Sequence, residues 1–113
     1  MSIVLAQVAG VAFARTVARV LLMDVSVHHD RAARRFRAEV DGYRCVLDYE
    51  LSGDRMSIVH TGVPSEVGGR GVAASLTEAA VAAARSEGWT IAPLCSYARV
   101  WFERHPEHGD LLA

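Results

Sequence analysis

The chain has 113 residues, a length that holds one domain with a single core but not two lobes. Hydrophobic residues make up 51% of it, and 12 basic against 13 acidic residues leave a formal net charge of −1. This balance is typical of a soluble globular protein, and it lacks the overall basicity by which nucleic-acid binders hold the phosphate backbone.

The first 22 residues differ from the rest of the chain. Residues 3–14 form an apolar run of signal-peptide length that ends in A-F-A, but no basic residue precedes it, and two arginines then make it too short to span a membrane. We expect, in decreasing order, a mis-called start with translation beginning at Met23, an accessory helix, and an exported protein. The domain is placed at 27–113, in the cytoplasm and away from membranes.

Alternation of apolar and polar residues predicts three antiparallel strands at the start of the domain. The first covers Phe36–Val40 and is followed by the tight turn Asp41-Gly42. The second covers Tyr43–Leu51, and the third covers Met56–Val63. These strands are expected to form a meander, in which the mid-strand Cys45 is a buried structural thiol.

The period then changes to that of a helix over Val72–Glu87, with Gly88 placed as its left-handed cap. Trp89–Leu94 follows as a short apolar strand, which a right-handed crossover places parallel to the third strand. Ser96 is expected to cap a last helix over Tyr97–Arg104. The predicted fold class is therefore α/β (α+β), a compact mixed sheet with a meander, a strand-helix-strand unit and a short C-terminal helix.

Three glycines, Gly68, Gly69 and Gly71, stand directly before the long helix. A glycine turn lets backbone approach a ligand, and a helix N-terminus offers unpaired N–H groups to an anion, so the loop predicts a phosphate or pyrophosphate site. A dinucleotide fold is not favoured, because residues 64–67 separate the strand from the glycines and no acidic residue follows at the required spacing. A nucleotide triphosphate loop is excluded because the chain has no lysine.

The glycine loop resembles the [Q/R]-x-x-G-x-[G/A] loop of the GNAT acetyltransferases. Together with H-T-x-V-P, P-L-C-S-Y and R-H-P-E, the segment G-G-R-G-V-A is similar to the small YjdJ-type branch of that superfamily, over residues 28–113. The resemblance implies a GNAT-like sheet and acetyl-CoA as co-substrate, without a metal. Gly68 departs from the pattern, since the superfamily usually carries Gln or Arg there. The residues expected to bind the cofactor are Val63, Gly68, Gly69, Arg70, Gly71, Val72, Ala73 and Ala74.

Cys95 and His60 lie at the ends of the two strands that flank the long helix. Cys95 precedes a helix, whose N-terminal dipole favours a thiolate, and His60 is a potential base or partner cation. Both residue types at strand ends are also common as packing residues. In the resembling family these strands splay apart around the pantetheine arm, which implies that the thioester arrives near Cys95.

Two mechanisms stay open at this stage. An amine attacks the thioester directly while a backbone N–H from residues 61–63 polarises the carbonyl, or Cys95 takes the acetyl group first with help from His60. The acceptor is expected to be an amine on a small molecule, such as a polyamine, or on a protein side chain. The alternative function is a non-catalytic acyl-CoA-binding or protein-interaction module, which the departure at Gly68 favours.

Overall fold

Within residues 25–113, five strands form one mixed sheet, in which neighbours along the chain are neighbours in space. The computed structural model describes residues 25–113, so the expectations for residues 1–22 lie outside the described residues. The strands are β1 (His28–Asp30), β2 (Arg35–Val40), β3 (Tyr43–Ser52), β4 (Arg55–Gly62) and β5 (Thr90–Pro93). The first four are antiparallel and β5 is parallel to β4, which confirms the predicted meander and the strand-helix-strand unit.

Two α-helices follow the meander, α1 (Val72–Glu87) and α2 (Ser96–Arg104). Short 3-10 helices cover Ser65–Val67 and Pro106–Leu111. Glycines at both ends delimit α1, because Gly71 and Gly88 have φ angles of 79° and 78°. In that left-handed region only glycine is free of a steric cost, so the helix begins and ends as the sequence predicts.

The core lies between α1 and the face of the sheet beneath it. Leu47 and Ile58 of the sheet and Leu76 of the helix are completely buried. The apolar spacing of α1 predicts that Val72, Leu76, Ala79, Ala80 and Ala83 share the face toward the sheet. Val72, Leu76 and Ala80 are buried, whereas Ala79 and Ala83 are half-buried at the margin. Cys45 is completely buried, as expected, and this burial raises the pKa of its thiol.

The second helix lies beside α1 on the same side of the sheet. Arg85 of α1 bonds the His108 ring at 3.1 Å, and that ring is stacked over Trp101 of α2. We call the opposite side of the sheet the open face, since no helix among residues 25–113 covers it. Neither described helix combines the length and the apolar character that crossing a membrane requires.

The open face carries charged residues in cross-strand pairs. Arg35 donates to Asp48 at 2.6 Å, and Arg37 donates to Asp30 at 3.0 Å. A third arginine close to these two in the sequence, Arg31, pairs with Glu87 of α1. Each pair is partly exposed, so solvent screens the charges and the pair contributes little to stability.

The strand predicted over residues 89–94 is shorter than expected. It ends at Pro93, and Leu94 is 57% exposed rather than buried. Strand β5 has no full strand on its outer side among the described residues, so it is less covered than a central strand. Of its four residues, only Ile91 is completely buried. On the outer side of β5 the chain end forms a single parallel bridge between Ile91 and Leu112, which the sequence did not indicate.

Candidate active site

The loop before α1 presents backbone N–H groups at the end of the sheet where β4 and β5 terminate. Gly69 and Gly71 are both left-handed, with φ angles of 76° and 79°. No side chain from the described part of the chain caps the helix, and its first turn closes with Ser75 N–H donating to the Gly71 carbonyl at 3.0 Å. The amides of residues 72–74 therefore have no acceptor within the helix and are available to an anion.

Buried residues on both sides hold this loop in place. Val67 before it is completely buried and Val72 after it is 2% exposed. Arg70, at the tip, is largely exposed and donates to Asp41 of the β2–β3 turn at 2.6 Å. The loop is thus anchored in the core by its ends and carries one guanidinium at its surface.

Backbone pairing between the parallel strands β4 and β5 stops before β4 ends, and we call the region beyond the last pair the gap between β4 and β5. Their register ends at Ile58 and Pro93, after which the amides of Leu94 and Cys95 both donate to the Ile58 carbonyl at 3.0 Å. Strand β4 continues to Gly62, and its pairing with β3 shifts register at a bulge, where Val59 is the extra residue. A bulge leaves a residue unpaired in the ladder, so polar backbone is exposed where the strands part.

Cys95 lies where β5 ends and acts as the N-cap of α2. Its sulfur accepts a hydrogen bond from the Ala98 amide at 3.4 Å and lies 3.4 Å from the Thr61 hydroxyl oxygen. The expectation that Ser96 caps this helix is therefore wrong, because Ser96 is already the first helical residue and the cysteine thiol occupies the capping position. The half-buried sulfur faces the gap between β4 and β5 through its contact with Thr61.

His60 lies on the open face, away from Cys95. It is paired in register with Asp48, whereas the next residue, Thr61, is paired with the core residue Leu47. Successive strand residues point to opposite faces, so His60 and Thr61 flank β4 from opposite sides. Among the described residues no hydrogen bond joins His60 to the Cys95 sulfur, which Thr61 contacts instead.

The space beside His60 depends on a glycine. A Cβ at Gly62 would lie 2.9 Å from the His60 Nε2 atom and 3.6 Å from a methyl group of Val46. The imidazole therefore extends along the strand over the position where residue 62 has no side chain. A larger residue there would displace it.

Tyr97 is a titratable residue close to Cys95 that the sequence did not mark as a candidate. It lies in the first turn of α2, two residues after Cys95, and is 37% exposed. Burial of part of the ring, and then the charges of Glu78 and Cys95, raise the pKa of its phenol, so the hydroxyl keeps its proton at neutral pH. Its position two residues after the predicted nucleophile was the available signal.

Comparisons with known proteins agree with this architecture. A family model described as GCN5-related N-acetyl-transferase matches residues 35–111. Protein NATD1 of Homo sapiens is 34% identical over 85 residues, which cover 73% of this chain and 75% of the human protein. Protein NATD1 of Gallus gallus has the same identity over the same length, with 77% of its chain covered.

A solved structure is similar as well. The NMR solution structure of a GCN5-like protein from Staphylococcus aureus superposes with a TM-score of 0.64 and 26% identity, covering 78% of this chain and 87% of that one. The residues matched by the family model run from β2 to the last 3-10 helix. They include the glycine loop, the gap between β4 and β5, and Cys95.

Proposed function

The chain belongs to the GCN5-related N-acetyltransferase family, and we propose that it transfers the acetyl group of acetyl-CoA to an amine. The observation that carries the proposal is the uncapped N-terminus of α1, whose glycine loop opens beside the gap between β4 and β5. An anion at the loop and an extended arm in the gap match the two ends of coenzyme A. Dependence on acetyl-CoA also favours the cytoplasm as the compartment.

The cofactor would be held mainly by backbone. The amides of residues 69–74 would bind the pyrophosphate, since two left-handed glycines allow close approach and no side chain of residues 25–113 caps the helix N-terminus. The Gly68 amide already donates to the Ser65 carbonyl at 3.1 Å and is not available to it. Arg70 would add a guanidinium at the surface of the loop, and Val63 would contribute its backbone because its side chain packs against the core. When bound, acetyl-CoA supplies a thioester whose acyl carbon is open to attack.

Direct transfer is the route we propose. His60, exposed on the open face, accepts a proton from the amine as its nitrogen forms a bond to the acyl carbon. A backbone N–H of residues 61–63 polarises the carbonyl oxygen. The carbon–sulfur bond then breaks and Tyr97 donates its proton to the departing sulfur. The proton held by His60 returns to the tyrosinate through solvent, so that the products are an acetylated amine and coenzyme A.

Transfer through an acetylated Cys95 is less well supported, because His60 and Thr61 point to opposite faces and Thr61 holds the sulfur. The variant Cys95→Ser separates the two routes, since serine is a good N-cap and can keep the contact with Thr61. We expect it to retain kcat within about threefold, while His60→Gln lowers kcat by about 10²–10⁴-fold. Loss of transfer in a Cys95→Ser protein that still binds coenzyme A would establish the acyl-cysteine route instead.

A binding module without catalysis is the alternative, and Gly68 is the observation that favours it. Gly68 has an ordinary φ of −68°, and a Cβ there would meet its nearest atom, the Ser65 carbonyl oxygen, at 3.4 Å. A side chain is therefore permitted, and we expect Gly68→Gln to strengthen coenzyme A binding. Calorimetry with coenzyme A, run beside an acetyl-transfer assay on a panel of amines, decides between the functions. Binding without transfer to any amine would favour the module.

A further inference from the structure

A polar cleft of about 350 Å³ opens on the sheet at the end where β2 finishes and β3 begins. Its volume lies within the range of small-ligand sites. The cleft is lined by Ser26, His28, Arg37, Ala38, Glu39 and Arg44. Three of these, His28, Arg37 and Arg44, carry side chains able to donate hydrogen bonds to an anion.

One of the two arginines in the cleft has no carboxylate partner among the described residues. Arg37 is paired with Asp30 but remains 39% exposed. Within residues 25–113, Arg44 forms no ion pair, although Glu39 is its cross-strand neighbour in the register. An incoming carboxylate therefore finds Arg44 free to bind it, with Glu39 opposing the binding.

A continuous floor connects this cleft to His60. Every second residue of β3 points to the open face, and these are Arg44, Val46 and Asp48. In the pairing of β3 with β4, His60 is opposite Asp48 and Gly62 is opposite Val46. The His60 ring reaches along β4 to the level of Gly62, which is opposite Val46. Two residues of strand separate this level from Arg44, which is about 7 Å at the usual rise.

We propose that this path selects the acceptor, and that the acceptor is an extended peptide amine with a carboxylate on the second residue. The amine lies at the His60 ring and the carboxylate binds Arg44 in the cleft. The amine and α-carboxylate of a free amino acid are too close together for the distance, whereas two extended residues span about 7 Å. This assignment rests on the proposed function, because it takes His60 as the reacting end.

Two synthetic peptides test the assignment, Ala-Asp-Gly and Ala-Asn-Gly, each with a free N-terminus and an amidated C-terminus. Binding to the full chain in the presence of coenzyme A is measured by calorimetry, and acetyl transfer is measured separately. We expect the aspartate peptide to bind at least about tenfold more tightly. Arg44→Gln should remove this preference, and Arg55→Gln, an exposed arginine at the far end of β4, should keep it.

A variant that binds the aspartate peptide more tightly provides a result that misfolding cannot produce. Glu39→Gln removes the opposing charge, so it should bind the aspartate peptide more tightly than the unmodified chain does. Equal binding of the two peptides, no binding of either, or equal effects of Arg44→Gln and Arg55→Gln would overturn the assignment. Selective binding without acetylation would support the cleft and contradict the proposed function, whereas equal acetylation of both peptides would contradict the cleft alone.

Discussion

The two left-handed glycines of α1 provide a matched test of the cofactor loop. Gly71 lies at the proposed pyrophosphate site, and Gly88 lies at the other end of the same helix with nearly the same φ angle. Valine at either position has the same backbone penalty, about 2 kcal/mol. For a domain of this size such a loss lowers the melting temperature by roughly 8–16 °C, and both variants should stay folded at 20 °C.

Only Gly71→Val should weaken coenzyme A binding. A strained residue there tilts the amides at the helix N-terminus, and each charge-assisted hydrogen bond lost costs about 1.5–3 kcal/mol. Loss of two such bonds reduces affinity by at least about 100-fold. Calorimetry with coenzyme A measures the affinity, and thermal melting verifies the fold. Unchanged affinity in a folded Gly71→Val protein, or an equal loss in Gly88→Val, would refute the backbone cradle.

Three further predictions concern the chain start, the thiols and pH. A protein that starts at Met23 should keep its melting temperature and coenzyme A affinity; an insoluble or unfolded product would show that residues 1–22 belong to the fold. Iodoacetamide should modify Cys95 before the buried Cys45, whose thiol pKa is raised by burial, and acetyl-CoA should slow the reaction; faster labelling of Cys45 contradicts this. Burial, and then the charge of Arg31, lower the pKa of His29 below 6.5, so the folded state favours the neutral ring. The free energy of unfolding should therefore be highest above pH 6.5 and should fall as the pH drops from 6.5 through the lowered pKa. Urea unfolding between pH 5 and 7.5 measures this slope, and His29→Gln should flatten it; an equal slope in the variant would exclude His29 as its source.

Much of the fold could be predicted because strong local signals coincide with tertiary structure. The turn Asp41-Gly42 adopts the left-handed angles that join β2 and β3, and Gly71 and Gly88 delimit α1. Strand β1 could not be predicted in the same way. It has three residues, too few for an alternating pattern, and the turn after it uses Arg34 at a φ of 56° where a glycine would have been recognisable.

The candidate site was only partly accessible from sequence. Residue types and order indicated the glycine loop, Cys95 and His60, but the face on which each side chain lies depends on the bulge at Val59. That bulge shifts alternation by one residue, and the run S-I-V-H-T contains no glycine to reveal it. The capping role of Cys95 was missed for a similar reason, because serine is a common N-cap and thiols are not among the preferred residues.

The bridge between Ile91 and Leu112 has a consequence for how copies of the protein meet. An unpaired strand at the margin of a sheet is a template for aggregation with another chain. Here the Ala113 amide donates to the Ile91 carbonyl at 2.8 Å, so the chain end occupies backbone groups on the outer side of β5. At the opposite margin β1 is only three residues long, too short to template an extended strand. The short C-terminal segment thus protects the β5 margin, as the short length of β1 protects the other margin. It keeps the sheet from growing by addition of strands from neighbouring molecules.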